Sequence, residues 1–177
     1  MSVIATSGRS LAVALLCLLL AGCFVSEQPM FPLATAIPAL GVGGHYGYYQ
    51  RDAKGDFQRQ QSFEVRHRND GAYDVINSSG EVSPASLHPI ANGTLVLQSK
   101  SERDNPPYLY LIMQVVDGEA FIYIPDCDKL DKDKLANFGV EKRDTHKCII
   151  DRVADPTGLF AAVNLGNSGM KIVRDLP

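Results

Sequence analysis

The stretch that decides the fold is residues 108–124, YLYLIMQVVDGEAFIYI. Two apolar runs, 108–116 and 119–124, flank the dipeptide Asp117-Gly118. Asp-Gly favours the positive φ angles of a two-residue type I′ turn, which joins antiparallel strands. Because both runs are apolar at successive positions, each strand should be covered on both faces. The stretch therefore predicts a β-hairpin at the centre of the folded domain.

Shorter strand patterns lie on both sides of this hairpin. Residues 62–68 alternate apolar and polar side chains, Asn69-Asp70-Gly71 supplies a turn, and residues 72–77 return. Further candidate strands are residues 87–90, 94–98, 148–150 and 170–173. Strands joined by short turns predict an antiparallel meander or a small barrel-like sheet.

Two short helices are expected near the C-terminus. Residues 131–138 have a helical pattern with Leu135 and Phe138 facing inward, and Gly139 suits the C′ position. The second helix should begin at Asp155-Pro156, an N-cap followed by proline, and end at Gly166. Its buried stripe would be Leu159, Phe160 and Val163. The predicted fold class is α+β, mostly antiparallel β with two short C-terminal helices.

The N-terminus has the pattern of a secretory signal. Arg9 precedes an unbroken apolar run over residues 11–21, which is too short to cross a bilayer as a permanent helix. Leu20-Ala21-Gly22-Cys23 resembles the lipobox of bacterial lipoproteins. The resemblance implies that residues 1–22 are removed as a signal peptide and that Cys23 is acylated, including a palmitate-type chain. Several acyl chains anchor a protein durably, whereas one chain alone holds only marginally.

The same resemblance gives an expected location and domain organisation. Phe24 stands where lipoproteins kept in the inner membrane often have aspartate, so the outer membrane is favoured over the inner. Residues 23–44 contain three prolines and a glycine cluster, a composition that predicts a lipidated tether. Residues 45–177 would then form a single β-rich domain in the oxidising periplasm.

The cysteine count predicts a disulfide. Cys17 would leave with the signal peptide and Cys23 would carry lipid, which leaves Cys127 and Cys148 as a pair. In an oxidising compartment such a pair is expected to be bridged. The alternative is a zinc site formed by Cys127, His146 and Cys148, since zinc binds cysteine and histidine ligands.

The sequence contains few motifs that indicate a function. The net charge of −3 and the sparse basic residues argue against a nucleic-acid partner. The chain contains no GxSxG motif and no phosphate-binding loop, so we expect no cofactor and no catalysis. An envelope hydrolase with an unrecognised site, using His67 or His146, is the most distant alternative.

Aromatic strand residues suggest a different alternative. Eight of them could line a cavity: Tyr46, Tyr48, Tyr49, Phe63, Tyr108, Tyr110, Phe121 and Tyr123. The length and the opening Gly44-His45-Tyr46 resemble lipocalins, although that family usually opens with Gly-x-Trp and this chain has no tryptophan. The resemblance implies a small-molecule carrier. The leading hypothesis is a membrane-anchored envelope lipoprotein whose domain binds other envelope components.

Overall fold

The computed structural model describes residues 23–91, 93–101, 104–143, 147–165 and 168–175, without the side chains of Cys23 and Asp128. The predicted signal peptide, residues 1–22, and His146 lie outside these residues. Within the described ranges no helix is long and apolar enough to span a membrane.

Eleven strands belong to one sheet in this part of the chain. Their bounds are β1 Cys23–Ser26, β2 Gly43–Arg51, β3 Phe57–His67, β4 Tyr73–Asn77, β5 Val82–Pro89, β6 Thr94–Lys100, β7 Tyr108–Val116, β8 Glu119–Tyr123, β9 Glu141–Lys142, β10 Lys147–Ile149 and β11 Met170–Arg174. Strands β2 to β8 pair in chain order, and β11 joins β8 to β2. All these pairs are antiparallel, so eight strands close into an up-and-down barrel.

The central hairpin is confirmed as β7 and β8. Asp117 and Gly118 have φ angles of 52° and 81°, the left-handed geometry that the tight turn requires. Side chains alternate across β7, so Leu111 and Met113 pack inside the barrel while Tyr110 and Ile112 pack outside it. Strand β7 is therefore shared between two hydrophobic cores, as its apolar run on both faces predicts.

The outer core is covered by the C-terminal third of the chain. Helix α1, Lys132–Phe138, is capped by Asp131, and Gly139 follows with φ of 72°. Helix α2, Pro156–Ala161, begins after Asp155, whose carboxylate accepts from the N–H of Gly158. Both predicted helices are confirmed, but α2 ends at Ala161 rather than at Gly166, which lies outside the described residues. The N–H of Val163 bonds to Phe160, and this i→i−3 bond tightens the final turn.

The segment expected to form a flexible tether, residues 23–44, packs on the barrel instead. Strand β1 pairs antiparallel with β7 and parallel with β10. Phe24 is fully buried and meets Phe160 edge to face at 5.5 Å. The Tyr110 hydroxyl lies 2.7 Å from Ser26 Oγ and accepts from the N–H of Met30 at 3.0 Å. Burying a phenylalanine is worth about 1.5–3 kcal/mol, so Phe24 and Phe31 add to the strand pairings of β1 in holding the segment on the barrel.

The glycine cluster at the end of this segment also has a structural role. Gly43 begins β2 and its Cα lies opposite Arg66 of β3. Its φ is 95°, and an added Cβ would lie 2.9 Å from the carbonyl carbon of Val65. Glycine is therefore needed for close approach of two backbones, rather than for flexibility.

Candidate functional site

The interior of the barrel is filled by side chains. Every barrel strand contributes to one buried cluster: Tyr46, Val65, Tyr73, Leu87, Leu95, Leu111, Met113, Ala120, Ile122, Met170 and Ile172. Eight strands enclose only enough space for such side chains or for one small ligand. This cluster occupies the space in which a lipocalin-like carrier would hold its ligand.

One end of the barrel is closed by residues just before β2. Ala39 and Leu40 pack against the interior cluster. The Tyr73 hydroxyl donates to the Gly41 carbonyl and accepts from the Leu40 N–H, each at 3.1 Å. Burial raises the pKa of Tyr73, which keeps the phenol protonated as a donor. These bonds hold the segment across the barrel end.

The aromatic residues that the sequence suggested as a cavity lining do not converge. Tyr46 and Phe63 are cross-strand partners, stacked at 5.9 Å between ring centroids. Tyr110 belongs to the outer core, where burial raises its pKa to about 12. Phe121 meets Phe57 edge to face at 6.3 Å. These aromatic residues serve mainly as packing pairs between strands.

A cleft lies at the opposite end of the barrel. Its volume is about 450 Å³. The floor comes from the ends of β8 and β11, and the walls come from the chain after β8 and the chain after α2. The apolar lining residues are Ile122, Ile124, Val163, Leu165 and Met170. Together with the polar groups that also line the cleft, these residues form a mixed surface that suits a small molecule with apolar and polar parts.

The rim of the cleft carries polar groups. Lys129 Nζ lies 3.3 Å from Asp126 Oδ2, and the Lys129 side chain is 76% exposed. An exposed ion pair of this kind is weak, so an incoming anion could compete for the ammonium. The Tyr123 hydroxyl donates to Gln114 Oε1 at 3.1 Å. The arrangement fits a ligand with an apolar body and an acidic or polar end.

A disulfide fixes one wall of this cleft. Cys127 and Cys148 are bridged, with Cα atoms 6.4 Å apart and both residues buried. Cys127 begins the 3₁₀ turn Cys127–Lys129, so the bridge ties that turn to β10. The predicted disulfide is present, and it uses both sulfur atoms that the zinc alternative required. No group of three or more potential metal ligands occurs among the described residues.

A buried polar network forms a second candidate site on the barrel wall. His88 and Ser86 lie on the same face of β5, with Nε2 of His88 2.8 Å from Ser86 Oγ. Nδ1 of His88 lies 2.9 Å from Thr35 Oγ1. The Thr35 hydroxyl donates to the Pro32 carbonyl at 2.9 Å, so it accepts the Nδ1 proton. Nε2 is then left to accept the Ser86 hydroxyl, the arrangement of a Ser–His pair.

The surroundings of this pair suit structure better than catalysis. Burial lowers the pKa of His88 to about 4, which leaves a weak base. Phe31 stacks on the imidazole at 5.0 Å, and Gln98 bonds to the N–H and carbonyl of Phe31 at 3.0 and 3.1 Å. Ser86 is itself 3% exposed. The network fastens residues 31–35 to the barrel.

The histidines that the sequence indicated are His67 and His146, rather than His88. His67 is exposed at the end of β3, where its ring meets Tyr73 edge to face at 5.3 Å. His146 lies outside the described residues. In the sequence, the network around His88 is indicated by Ser86-x-His88 within a strand, because residues two positions apart lie on the same face of the strand.

Comparison with protein-family models gave no match. Comparisons with curated proteins and with solved structures gave none either. Functional assignment therefore depends on the residues and geometry described above.

Proposed function

We propose that this chain is a lipid-anchored binding protein of a bacterial cell envelope. The barrel, whose interior is filled by side chains, is the scaffold. The cleft at the end of β8 and the start of β11 is the binding site. The ligand is a small envelope component with an apolar body and an acidic end. Binding, rather than catalysis, is the function of the site.

The observation that carries this proposal is the cleft of about 450 Å³ with an apolar floor and a charged rim. Small-molecule sites usually measure about 300–1,000 Å³, and the lining of this cleft combines apolar side chains with polar groups. Lys129 at the rim supplies a cation for the acidic end of the ligand. Ile122 and Met170 supply the apolar floor.

The cleft is also supported by rigid elements. Ile122 and Met170 are register partners on β8 and β11, two strands of the closed barrel. Ser168 Oγ donates to the Ile122 carbonyl at 2.7 Å and fixes the chain just before β11. The disulfide holds the opposite wall. A preformed site loses less conformational entropy when it binds a ligand.

Attachment to the membrane is the second part of the proposal. It is supported by the resemblance of Leu20-Ala21-Gly22-Cys23 to a lipobox and by a disulfide that suits an oxidising compartment. The outer membrane is the proposed site of attachment. Other envelope proteins are the expected donors or recipients of the ligand.

The test uses the acylated protein in lipid nanodiscs and anilinonaphthalene sulfonate, a dye with an apolar body and an anionic end. The signal of empty nanodiscs is subtracted, because the dye also binds bilayers. Gly169 lines the cleft, and an added Cβ there would meet no atom within 4 Å. There is thus room for the Cβ of a larger residue, and Gly169→Phe should place a ring in the cleft and weaken dye binding at least about tenfold. Val115→Phe, at an exposed position on β7, is the matched control.

Native mass spectrometry completes the test. Extra mass that is lost on denaturation, and that is absent from Gly169→Phe, would identify a natural ligand in the cleft. Equal dye affinity in the original protein, Gly169→Phe and Val115→Phe would show that the cleft does not bind and would overturn the proposal.

A further inference from the structure

The proposed lipid attachment point has no spacer between it and the folded domain. Cys23 is the first residue of β1, and its Cα is in register with Lys147 of β10. The next three residues are all buried, with Phe24 and Ser26 at 0% exposure and Val25 at 4%. Consecutive Cα atoms are only about 3.8 Å apart, so acyl chains on Cys23 would hold the domain directly on the bilayer.

The surface beside Cys23 is the edge formed by β9 and β10. Phe24 and Cys148 are register partners, and both are buried. Lys147 precedes Cys148 on β10, so it faces away from the buried side of the strand. The N–H of Arg143 bonds to the Lys147 carbonyl at 3.0 Å, which brings Arg143 next to Lys147 at the end of this edge.

The charge of this edge differs from that of the chain as a whole. The whole sequence has a net charge of −3. Lys142 and Arg143 are exposed and Lys147 is half-buried. Residues 141–147 carry these three basic side chains against two carboxylates, Glu141 and Asp144, so this stretch has a net positive charge. Basic residues beside a membrane anchor are attracted to anionic phospholipids.

We propose that the β9–β10 edge is a membrane-docking surface, on which Arg143 and Lys147 contact the phosphates of anionic phospholipid headgroups. This inference depends on the proposed acylation of Cys23. Docking of this edge sets the orientation of the domain on the membrane, because the register of β1 with β10 places the edge next to the lipid on Cys23. The short edge strand is then covered by the headgroup layer.

The experiment measures hydrogen–deuterium exchange of the full acylated protein in two kinds of vesicle. One is phosphatidylcholine alone, and the other is phosphatidylcholine mixed with phosphatidylglycerol in equal parts. Amides of residues 141–143 and 147–149 should exchange at least about fivefold more slowly on the anionic vesicles. Amides of the turn after β2, residues 52–56, should exchange equally on both.

Charge reversal provides the matched variants. Arg143→Glu/Lys147→Glu should lose the protection on anionic vesicles. Lys54→Glu/Lys100→Glu, which makes the same change of charge away from this edge, should keep it. Both variants should remain disulfide-bonded and bind the dye normally, which shows that each has folded.

Intact mass separates the two proposals. A protein that floats with vesicles and carries acyl chains, but exchanges equally on both lipids, overturns the docking surface and leaves the anchor in place. Equal loss of protection in the two charge-reversed variants also overturns it. A mature protein whose mass shows no acyl chain overturns the anchor and the docking surface together.

Discussion

Thr35 Oγ1 lies 2.9 Å from Nδ1 of His88 and joins the N-terminal segment to strand β5 of the barrel. In this arrangement the imidazole is neutral, since Nδ1 donates to Thr35 and Nε2 accepts from Ser86. His88 is 1% exposed, so a charge on the ring would be isolated from water. Burying an unpaired charge is costly, and this cost links the stability of the fold to pH.

We expect the protein to lose stability as the pH falls from about 6.5 to about 4. Burial lowers the pKa of His88 from 6.5 to about 4, so in this window the unfolded chain binds a proton that the folded chain does not. The contribution is complete above pH 6.5 and declines toward pH 4, by up to ~3 kcal/mol in the free energy of unfolding. Urea unfolding at a series of pH values measures it.

His88→Gln is the variant that tests this assignment. It keeps a hydrogen-bonding side chain but cannot be protonated, so the decline between pH 6.5 and 4 should become shallower by the same amount. His45→Gln removes an exposed histidine and should keep the original slope. A slope that is identical in all three proteins would mean that other groups cause the pH dependence.

Loss of the disulfide should destabilise the fold and loosen the cleft. The bridge spans 21 residues, a separation for which a cross-link contributes about 3 kcal/mol in the chain-entropy model. Cys127→Ser/Cys148→Ser should lower the free energy of unfolding by roughly that amount. It should also weaken dye binding, because the turn from Cys127 to Lys129 forms one wall of the cleft.

Hydrogen exchange distinguishes a local effect from a general one. Amides of residues 126–130 and 147–150 should exchange faster in the double variant by a larger factor than those of β3 to β6, which should speed up only as far as the loss of global stability requires. Those strands pair with one another in the barrel, away from the bridge. Unchanged exchange around both former cysteines would contradict the role of the bridge in holding the cleft.

Local signals in the sequence were sufficient for much of the fold. The β7–β8 hairpin follows from Asp117-Gly118, because few dipeptides adopt positive φ at both positions of a tight turn. Helix α2 begins where Asp155 and Pro156 supply an N-cap and a first helical residue. The disulfide follows from counting cysteines. Each of these features is determined by residues close together in sequence or by chemistry alone.

Long-range contacts could not be predicted in this way, because they join residues that are far apart in the sequence. Phe24 packs on Phe160 and pairs with Cys148, and neither partner leaves a signal near Phe24 itself. Prolines and glycines in the same segment predicted a tether, whereas Phe24 and Phe31 are buried in the outer core. Closure of the barrel depends on the pairing of β11 with β2, two strands that are adjacent in the sheet but lie at opposite ends of the domain's sequence. The cleft exists only once this pairing has placed Met170 beside Ile122.

Gly43 should be far more sensitive to substitution than Gly55. The two residues have nearly equal φ angles, 95° and 94°, so both lose similar energy when alanine is forced into that conformation. A Cβ at Gly43 would also collide with the carbonyl of Val65, whereas one at Gly55 would meet no atom within 4 Å. Gly43→Ala should therefore cost at least ~2 kcal/mol more than Gly55→Ala.

Thermal and urea unfolding of the two alanine variants measure this difference. Because both variants share the cost of alanine at a positive φ angle, the difference in their unfolding free energies isolates the effect of the close approach of β2 and β3. Equal destabilisation would mean that the strands can separate at Gly43 without loss, and that the glycine is not needed for their pairing.

Cys23→Ala should release the protein from the membrane fraction and abolish labelling by fatty acid. Each buried methylene of an acyl chain contributes ~0.8 kcal/mol, so losing every chain removes the whole anchor. Cys17→Ala changes a cysteine within the predicted signal peptide and should leave both labelling and membrane association intact. The disulfide and the unfolding midpoint of the released protein should match those of the anchored form, because Phe24 keeps its contacts with Phe160. A Cys23→Ala protein that still sediments with membranes and still carries fatty acid would contradict acylation at this residue.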